Sequence, residues 1–283
     1  MKTTSISRDM VTKAITYILS NLEEDICVDD VASHCAVSKY HLSRVFRKEM
    51  GEALYQFIMR SKLGRSAWRL KVEKNRSVTD IGYDYGYSPS NYATVFRKMY
   101  STSPSVFRRT SERRVRESSF SHSISAEDLD SIISGTTIRK LPDICVIYEL
   151  KKGNYHDLAS EWDSFVQKYI HLADENTRYI ECTIDDPSIT YEDSCLYQLC
   201  QTISPGDPSV IRNQLNTTVF EGGKYAVCPY SGYPETLFPV YQEVFCRWLE
   251  KTGNTLAEKP IFDIYTFVSE ELYMEMDICF PLK

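Results

Sequence analysis

Two cationic segments, fifty residues apart, carry the side chains of the chain's first half that are best suited to chemistry. SKYHLSRVFRK begins at Ser38 and SPSNYATVFRK begins at Ser88, and both end in Val-Phe-Arg-Lys. Read as a helix, the first segment places an apolar stripe on one side, made of Leu42, Val45, Phe46 and Met50. Its other side carries long hydrogen-bond donors, namely Lys39, Tyr40, Ser43, Arg44, Arg47 and Lys48. Since such donors on a rigid helix reach guanine edges and phosphates in the major groove, this side predicts a DNA recognition helix.

The second segment repeats the pattern, but the side opposite its apolar stripe, called its front below, carries fewer long hydrogen-bond donors. Its candidate contact residues are Ser88, Ser90, Asn91, Thr94, Arg97 and Lys98. Thr94 stands where the first copy has Arg44, and losing a bidentate arginine contact to guanine removes roughly 1 to 3 kcal/mol of base discrimination. We therefore expect the first helix to carry most of the sequence specificity, and the second to contribute backbone contacts or read a relaxed half-site.

The elements that position these helices are themselves duplicated. An offset of fifty aligns VDDVASHCAVS at Val28 with VTDIGYDYGYS at Val78, so each copy reads as a short helix, a tight turn and a longer helix. Ser38 is a good N-cap and Gly51 a C-terminal stop for the first long helix. Residues 53–71 between the copies predict a connecting helix of roughly 27 Å at about 1.5 Å per residue. This length is close to the distance of about 34 Å between successive major-groove faces, so one chain can reach two of them.

Charge and composition divide the 283 residues into two parts. Residues 1–117 carry 21 Lys and Arg against 13 Asp and Glu, whereas the rest carries 12 against 26. A polar, Ser- and Arg-rich stretch lies between the parts, so we predict domains at 1–112 and 131–283 joined by a linker at 113–130. Without an apolar run of about 18 residues or a secretory signal, we expect a cytoplasmic protein with no membrane partner. The nine cysteines include no C-x-x-C pair, and we expect reduced, mostly buried thiols.

A second repeat, at an offset of 79, organises the acidic part. It aligns Leu158 with Leu237, Trp162 with Tyr241, and Tyr169 with Trp248. Alternating apolar residues predict six strands, which begin near Ile144, Arg178, Cys195, Lys224, Ile261 and Tyr273. The predicted fold is therefore multidomain: an all-α double helix-turn-helix domain, followed by an α+β domain of two pseudo-symmetric β-α-β-β halves with a groove between them.

Acids and aromatic residues in this part suggest a ligand. Alternation places Asp263 on the strand face of Ile261, Tyr265 and Phe267, and Asp277 is flanked by Met276 and Ile278. A carboxylate among apolar side chains is costly unless paired, and an organic cation can pair with it while stacking on the rings. The candidate ligand-binding residues are Trp162, Tyr225, Tyr230, Tyr241, Asp263, Tyr265 and Asp277. The alternative is that both acids lie on exposed strand faces or bond to tyrosine or backbone donors.

Motifs for catalysis are missing from the sequence. The histidines, at 34, 41, 122, 156 and 171, have no metal-binding spacing, and there is neither a Gly-x-Ser-x-Gly elbow nor a phosphate-binding loop. We expect no metal, no cofactor and no enzymatic activity.

Residues from about 12 to 109 resemble the DNA-binding domain of the AraC/XylS family. The resemblance rests on LSRVFRK at Leu42, Ile81-Gly82, YGYS at Tyr85, and SPSVFR at Ser103. It implies that Tyr40, Ser43 and Arg44 reach base edges, and that the phosphates or the domain's own acidic surface lie near Arg47, Lys48, Arg97 and Lys98. Compared with the family pattern, the turn at Ser88-Pro89-Ser90 is one residue shorter.

The acidic part is similar to the GyrI-like effector-binding domain, in TVFEGGKYAVCPYSG at Thr218, VFCRWLEKTG at Val244 and MDICFPLK at Met276. Together the two resemblances imply a transcription regulator, more specifically an activator, whose partners are promoter DNA, RNA polymerase and a small effector such as a lipophilic cation. Two alternatives stay open. In the first, the second domain acts as a small-molecule hydrolase or a protein-binding module, and DNA binding is secondary. In the second, the chain is an adaptor that has lost promoter recognition.

Overall fold

The computed structural model describes residues 2–116, 124–154, 157–213 and 215–283. The chain divides into two compact units, one formed by Met1–Leu70 with Arg76–Arg109 and the other by Lys71–Asn75 with Thr110–Lys283. None of the helices within the described ranges is long and apolar enough to cross a bilayer.

Seven helices follow one another from the start of the chain. They are α1 (Lys2–Ser20), α2 (Val28–His34), α3 (Lys39–Met50), α4 (Leu54–Val72), α5 (Val78–Asp84), α6 (Pro89–Tyr100) and α7 (Pro104–Arg116). The pairs α2/α3 and α5/α6 are the two predicted helix-turn-helix motifs, and α4 is the predicted connecting helix. The double helix-turn-helix architecture is therefore confirmed.

Local sequence explains where α3 begins, ends and packs. The Ser38 hydroxyl accepts a hydrogen bond from the His41 backbone N–H at 3.3 Å, and Gly51 ends the helix in the left-handed conformation with φ 77°. Leu42 and Phe46 are fully buried, and the Phe46 ring meets Phe57 of α4 edge to face at 5.3 Å. The apolar back of α3 is thus fixed to the domain core, while most of its front is exposed.

The two helix-turn-helix turns have the same length. Each has four residues between its helices, 35–38 in the first copy and 85–88 in the second. The second turn is not shortened relative to the first, because α6 starts fifty residues after α3 with Pro89 as its first helical residue. The expected difference from the family pattern stays a prediction. Equivalent positions also adopt the left-handed conformation, Ala36 with φ 54° and Gly86 with φ 80°.

The second unit is built on a single antiparallel sheet of eight strands. The strands are β1 (Thr137–Leu141), β2 (Ile144–Lys152), β3 (Tyr179–Thr183), β4 (Leu196–Thr202), β5 (Thr217–Phe220), β6 (Gly223–Gly232), β7 (Phe262–Val268) and β8 (Met274–Pro281). Their order in the sheet is β1-β6-β8-β7-β3-β4-β2-β5. All six predicted strands are confirmed, and β1 and β5 are additional.

The helices of the second unit precede the first strand or connect successive strands. They are α8 (Ala126–Gly135), α9 (Leu158–Tyr169), α10 (Pro208–Arg212), α11 (Pro234–Glu243) and α12 (Leu249–Thr252), with a π-helical turn at Val244–Trp248 and short 3-10 turns at Ile170–Leu172 and Glu192–Ser194. The predicted linker at 113–130 overlaps the end of α7 and the start of α8. Its residues 117–123 lie outside the described residues.

The register shows that each half of this sheet has five elements instead of four. β1, β2, α9, β3 and β4 form the first half, and β5, β6, α11, β7 and β8 the second. The leading strand of each half pairs with the other half, since β1 pairs with β6 and β5 pairs with β2. This exchange ties the halves together at both edges of the sheet, and β3 and β7 join them at its centre.

Two hydrophobic clusters lie on opposite faces of the sheet. One face carries a cluster that includes Val146, Ile180, Phe220, Tyr225 and Phe262. On the other face, Phe165 and Tyr169 of α9 pack on strand residues such as Leu199. The helical layer therefore covers the face to which β3 contributes Tyr179 and Glu181.

The equivalent turn positions give a prediction about stability. A non-glycine residue in the left-handed region costs roughly 1 to 2 kcal/mol. We expect Ala36→Gly to stabilise the first helix-turn-helix motif by about 1 kcal/mol, and Gly86→Ala to destabilise the second by a similar amount. Hydrogen exchange of the full chain measures both: protection should rise in α2 and α3 for the first variant and fall in α5 and α6 for the second.

The β-strands of the second unit are the internal control and should be unchanged in both variants. Lower protection of α2 and α3 in the Ala36→Gly protein would show that this turn is not strained.

Candidate functional site

The front of α3 presents the predicted DNA-contacting side chains. Tyr40 is 80% exposed, and Arg44, Arg47 and Lys48 are also exposed. Ser43 is half-buried. Lys39 is exposed but forms an ion pair with Asp29 of α2, with 3.2 Å between Nζ and Oδ1.

His41 belongs to the same surface, although the sequence analysis did not select it. Its Nδ1 lies 3.5 Å from Nη2 of Arg44, one helical turn further along α3. The i, i+3 spacing is the signal that could have found it. A histidine at this distance from Arg44 helps to hold the guanidinium in one orientation.

The front of α6 is exposed but carries shorter side chains. Its exposed predicted residues are Ser88, Ser90, Asn91, Thr94, Arg97 and Lys98. Thr94 donates its hydroxyl to the backbone oxygen of Ser90 at 2.9 Å, so this hydroxyl is bonded to its own helix. Asn91 occupies the position of His41 and offers an amide that can pair with adenine. The exposed cationic side chains of α6 are Arg97 and Lys98, and both lie near the end of the helix.

In the second unit, two buried acids meet where the halves join. Glu181 of β3 and Asp263 of β7 are directly paired in the register. Paired residues of an antiparallel sheet share one face, so both carboxyl groups lie on the helical side. Glu181 is 4% exposed and Asp263 is 0% exposed.

The two acids occupy equivalent places in the two halves. Glu181 pairs with Leu199 of β4, and Asp263 pairs with Ile278 of β8. Leu199 and Ile278 are themselves 79 residues apart, the offset of the repeat. The pseudo-twofold relation of the halves therefore brings one acid from each half together at the junction.

Neutral aromatic donors surround the acids. Glu181 Oε2 accepts from Trp162 Nε1 at 3.4 Å and from the Tyr265 hydroxyl at 3.0 Å. The Tyr241 hydroxyl donates to Asp263 Oδ2. Trp162 and Tyr265 are half-buried and meet nearly edge to face, with ring centroids 5.6 Å apart. We call these five residues the acid–aromatic cluster.

Burial, uncompensated by a cation, shifts the pKa values of both acids upward. It raises the pKa of Glu181 to about 7 against the hydrogen bonds from Tyr265 and Trp162, which lower it. Burial, followed by the nearby charge of Glu181, raises the pKa of Asp263 well above its ordinary value. Both acids are therefore held toward their protonated forms, with Glu181 about half ionised near pH 7.

Two predicted ligand residues lie on the other face of the sheet. Asp277 pairs with Ile264, which neighbours Asp263 in β7 and so points the opposite way. Its carboxylate lies 3.5 Å from the Arg139 guanidinium. Tyr225 is buried in the core of that same face. Their assignment to one cleft with Asp263 is wrong, because the strands that carry them place them on the opposite side.

Tyr230 lies on the helical face but is engaged elsewhere. It is 2% exposed, and its hydroxyl is 2.7 Å from both the Tyr233 backbone oxygen and Thr236 Oγ1. The predicted alignment of Phe267 with Asp263 also fails, since an irregularity in register between Tyr265 and Phe267 breaks the alternation.

Sequence reasoning missed Glu181, although its signal was present. In RYIECTI the acid interrupts an apolar strand in the same way as Asp263 interrupts IFDIYTF. The pairing of the two strands, which shows that the acids meet, is a long-range property.

No group of three metal-ligating side chains occurs in the part of the chain that the structure describes. His122 and His156 lie outside that part. The nine cysteines, all in described segments, form no disulfide, and five of them are buried.

Comparison with known families agrees with both halves of this description. Residues 31–110 match the family described as "Helix-turn-helix domain", and residues 136–283, just over half of the chain, match "GyrI-like small molecule binding domain". The chain belongs to the GyrI-like family. Its helical region is of the AraC type, so the chain combines an AraC-type helix-turn-helix domain with a GyrI-like domain.

Curated relatives match the helical region. The "HTH-type transcriptional activator AarP" of Providencia stuartii is 32% identical over 108 residues, which are 38% of this chain and 79% of AarP. The "Transcriptional regulator Rob" of Salmonella typhimurium is 30% identical over 113 residues, 40% of this chain. The matched segment spans only 37% of Rob. The crystal structure of the EcmrR C-terminal domain aligns with 52% of this chain and 96% of that domain, at 12% identity and a TM-score of 0.43.

The buried acid gives a prediction about pH. Because the pKa of Glu181 is near 7 in the folded chain and about 4.5 in the unfolded chain, its contribution to stability is full below pH 4.5 and is lost as the pH rises through 7. We expect Glu181→Gln to be more stable than the wild type at pH 8 by about 3 kcal/mol, and to match it near pH 4.5. Urea unfolding followed by tryptophan fluorescence at the two pH values measures this.

In the Glu181→Gln variant the free energy of unfolding still falls as the pH rises, because the pKa of Asp263 is raised as well. Glu275→Gln, at an exposed acid of β8, is the control and should change neither value by more than a few tenths of a kcal/mol. Equal curves for Glu181→Gln and the wild type would contradict a neutral Glu181 in the folded chain.

Proposed function

We propose that the chain is a transcription regulator that binds promoter DNA mainly through α3, and that its GyrI-like domain binds a small organic cation. The observation that carries the first part is the front of α3. Tyr40, Arg44, Arg47 and Lys48 are exposed together on a helix whose opposite side is buried in a helix-turn-helix core. The names of AarP and Rob support the same function.

The two helices have unequal roles in this proposal. On α3, Arg44 is placed to read a base edge, with Tyr40 and Ser43 beside it, while Arg47 and Lys48 bind phosphates. On α6, Arg97 and Lys98 supply phosphate contacts and the short polar front tolerates several sequences. The first half-site is therefore read more strictly than the second.

The acid–aromatic cluster supports the second part. A cation placed against Glu181 and Asp263 would offset the cost of ionising two buried carboxyl groups, and the rings of Trp162 and Tyr265 provide stacking surfaces. In this proposal the compound is bound and released unchanged, so the chain acts as a sensor. As an activator in the cytoplasm, it would respond to the cation with a change in promoter occupancy and would contact RNA polymerase.

Arg44→Ala tests the DNA-reading part. We expect the full-length protein to bind a promoter duplex with an affinity that falls steeply with salt, and the variant to lose roughly 1 to 3 kcal/mol of binding free energy on the specific sequence. Fluorescence anisotropy at two salt concentrations, with the specific and a scrambled duplex, measures both effects.

Thr94→Ala is the matched control at the equivalent position of α6, and it should lose less than half as much. Weak binding that depends neither on the duplex sequence nor on Arg44 would refute α3 as the reader, and would move the function to the GyrI-like domain.

A further inference from the structure

One carboxylate oxygen in the acid–aromatic cluster is both fully buried and without a hydrogen bond among the described residues. Asp263 is fully buried, its Oδ2 accepts from Tyr241, and its Oδ1 has no partner among the residues that the structure describes. No hydrogen bond between the two carboxyl groups occurs in the described structure either. A buried polar atom without a partner costs free energy, and once a cation has ionised Asp263, Oδ1 is the buried acceptor at which a ligand donor gains most.

The position of this oxygen matters because a second acid lies directly across the strand pair. Directly opposed residues of antiparallel strands have Cβ atoms about 4.5 to 5.5 Å apart. Glu181 and Asp263 are such a pair. A single charged group with several donors, inserted on this face, can bond to both acids at once.

The surroundings limit what that group can be. Each acid already receives a donor from its own half, Trp162 of α9 for Glu181 and Tyr241 of α11 for Asp263. These rings are 79 residues apart, so the environment is nearly symmetric about the junction. Tyr265 adds one further donor to Glu181 only. Both donors to Glu181 end on its Oε2, so its Oε1 can also accept, but the fully buried carboxylate oxygen without a partner is Oδ1 of Asp263.

From these contacts we infer that the junction selects cations that carry N–H donors, with a primary ammonium ion as the fitting group, over quaternary cations of similar size. An ammonium group has three donors and can reach Asp263 Oδ1 while it pairs with Glu181. A trimethylammonium group has the same charge but no donor, so it leaves Oδ1 unsatisfied. This inference rests on the proposed cation site and specifies its ligand class.

The test uses a matched set of ligands on the full-length chain. The probes are 4-phenylbenzylammonium, its N,N,N-trimethyl analogue and the uncharged 4-phenylbenzyl alcohol, titrated by calorimetry at pH 8. We expect the primary ammonium ion to bind at least about tenfold more tightly than the trimethyl analogue, since a lost hydrogen bond to a buried charged group costs that much or more. The alcohol should bind most weakly.

Asp263→Asn should reduce the ratio between the two cations to within about threefold. Asp277→Asn is the matched control, because that acid lies on the opposite face of the sheet, and it should preserve the wild-type ratio. The comparison of ligands on the wild-type protein needs no variant, so a folding defect in Asp263→Asn leaves the inference testable.

The possible outcomes distinguish the donor requirement from the proposed cation binding on which it rests. Equal affinities of the two cations, both above that of the alcohol, would overturn the donor requirement and leave the cation site standing. A ratio that persists in Asp263→Asn would overturn the role of Asp263. If neither cation binds more tightly than the alcohol, the proposed cation site itself is refuted.

Discussion

Two carboxyl groups buried on adjacent strands, with neutral indole and phenol donors bonded to them, are the constraint on which the GyrI-like domain depends. Burial of one acid without a cation is unfavourable, and burial of two on adjacent strands is more so. The domain tolerates the pair by raising both pKa values and by supplying indole and phenol donors from α9, α11 and β7. A bound cation would offset this unfavourable free energy of burial, and the offset would add to its binding free energy.

The duplicated fold explains how such a pair arises. Each half contributes one central strand, β3 or β7, and the exchange of β1 and β5 holds the halves in fixed register. Since equivalent positions meet at the centre, one acid per half is enough to create a site with two. The helical unit uses duplication differently. Its copies keep their buried aromatic residues, Phe46 and Phe96, and diverge on the exposed front. Duplication therefore gives a symmetric pair of acids in one unit and two unequal helix fronts in the other.

Local sequence patterns predicted most elements of the fold, because caps, apolar periodicity and alternation are local properties. They missed β1 and β5, which are short, largely exposed and polar, so alternation gives no contrast there. The candidate ligand site was only half predicted. Trp162, Tyr241, Asp263 and Tyr265 come together, whereas Asp277 and Tyr225 lie on the other face. Alternation shows which residues of one strand share a face, but the register between distant strands decides which faces coincide. Glu181 was missed for the same reason.

The number of protons released on cation binding tests the central claim most directly. Calorimetric titration of the full-length chain with 4-phenylbenzylammonium at pH 6, in buffers with different ionisation enthalpies, gives this number. If the buried acids are neutral at rest and ionise to receive the ligand, between one and two protons should be released per cation bound, and Glu181→Gln should release fewer. Binding without proton release would contradict the account, because it would mean that the acids are already charged or do not contact the ligand.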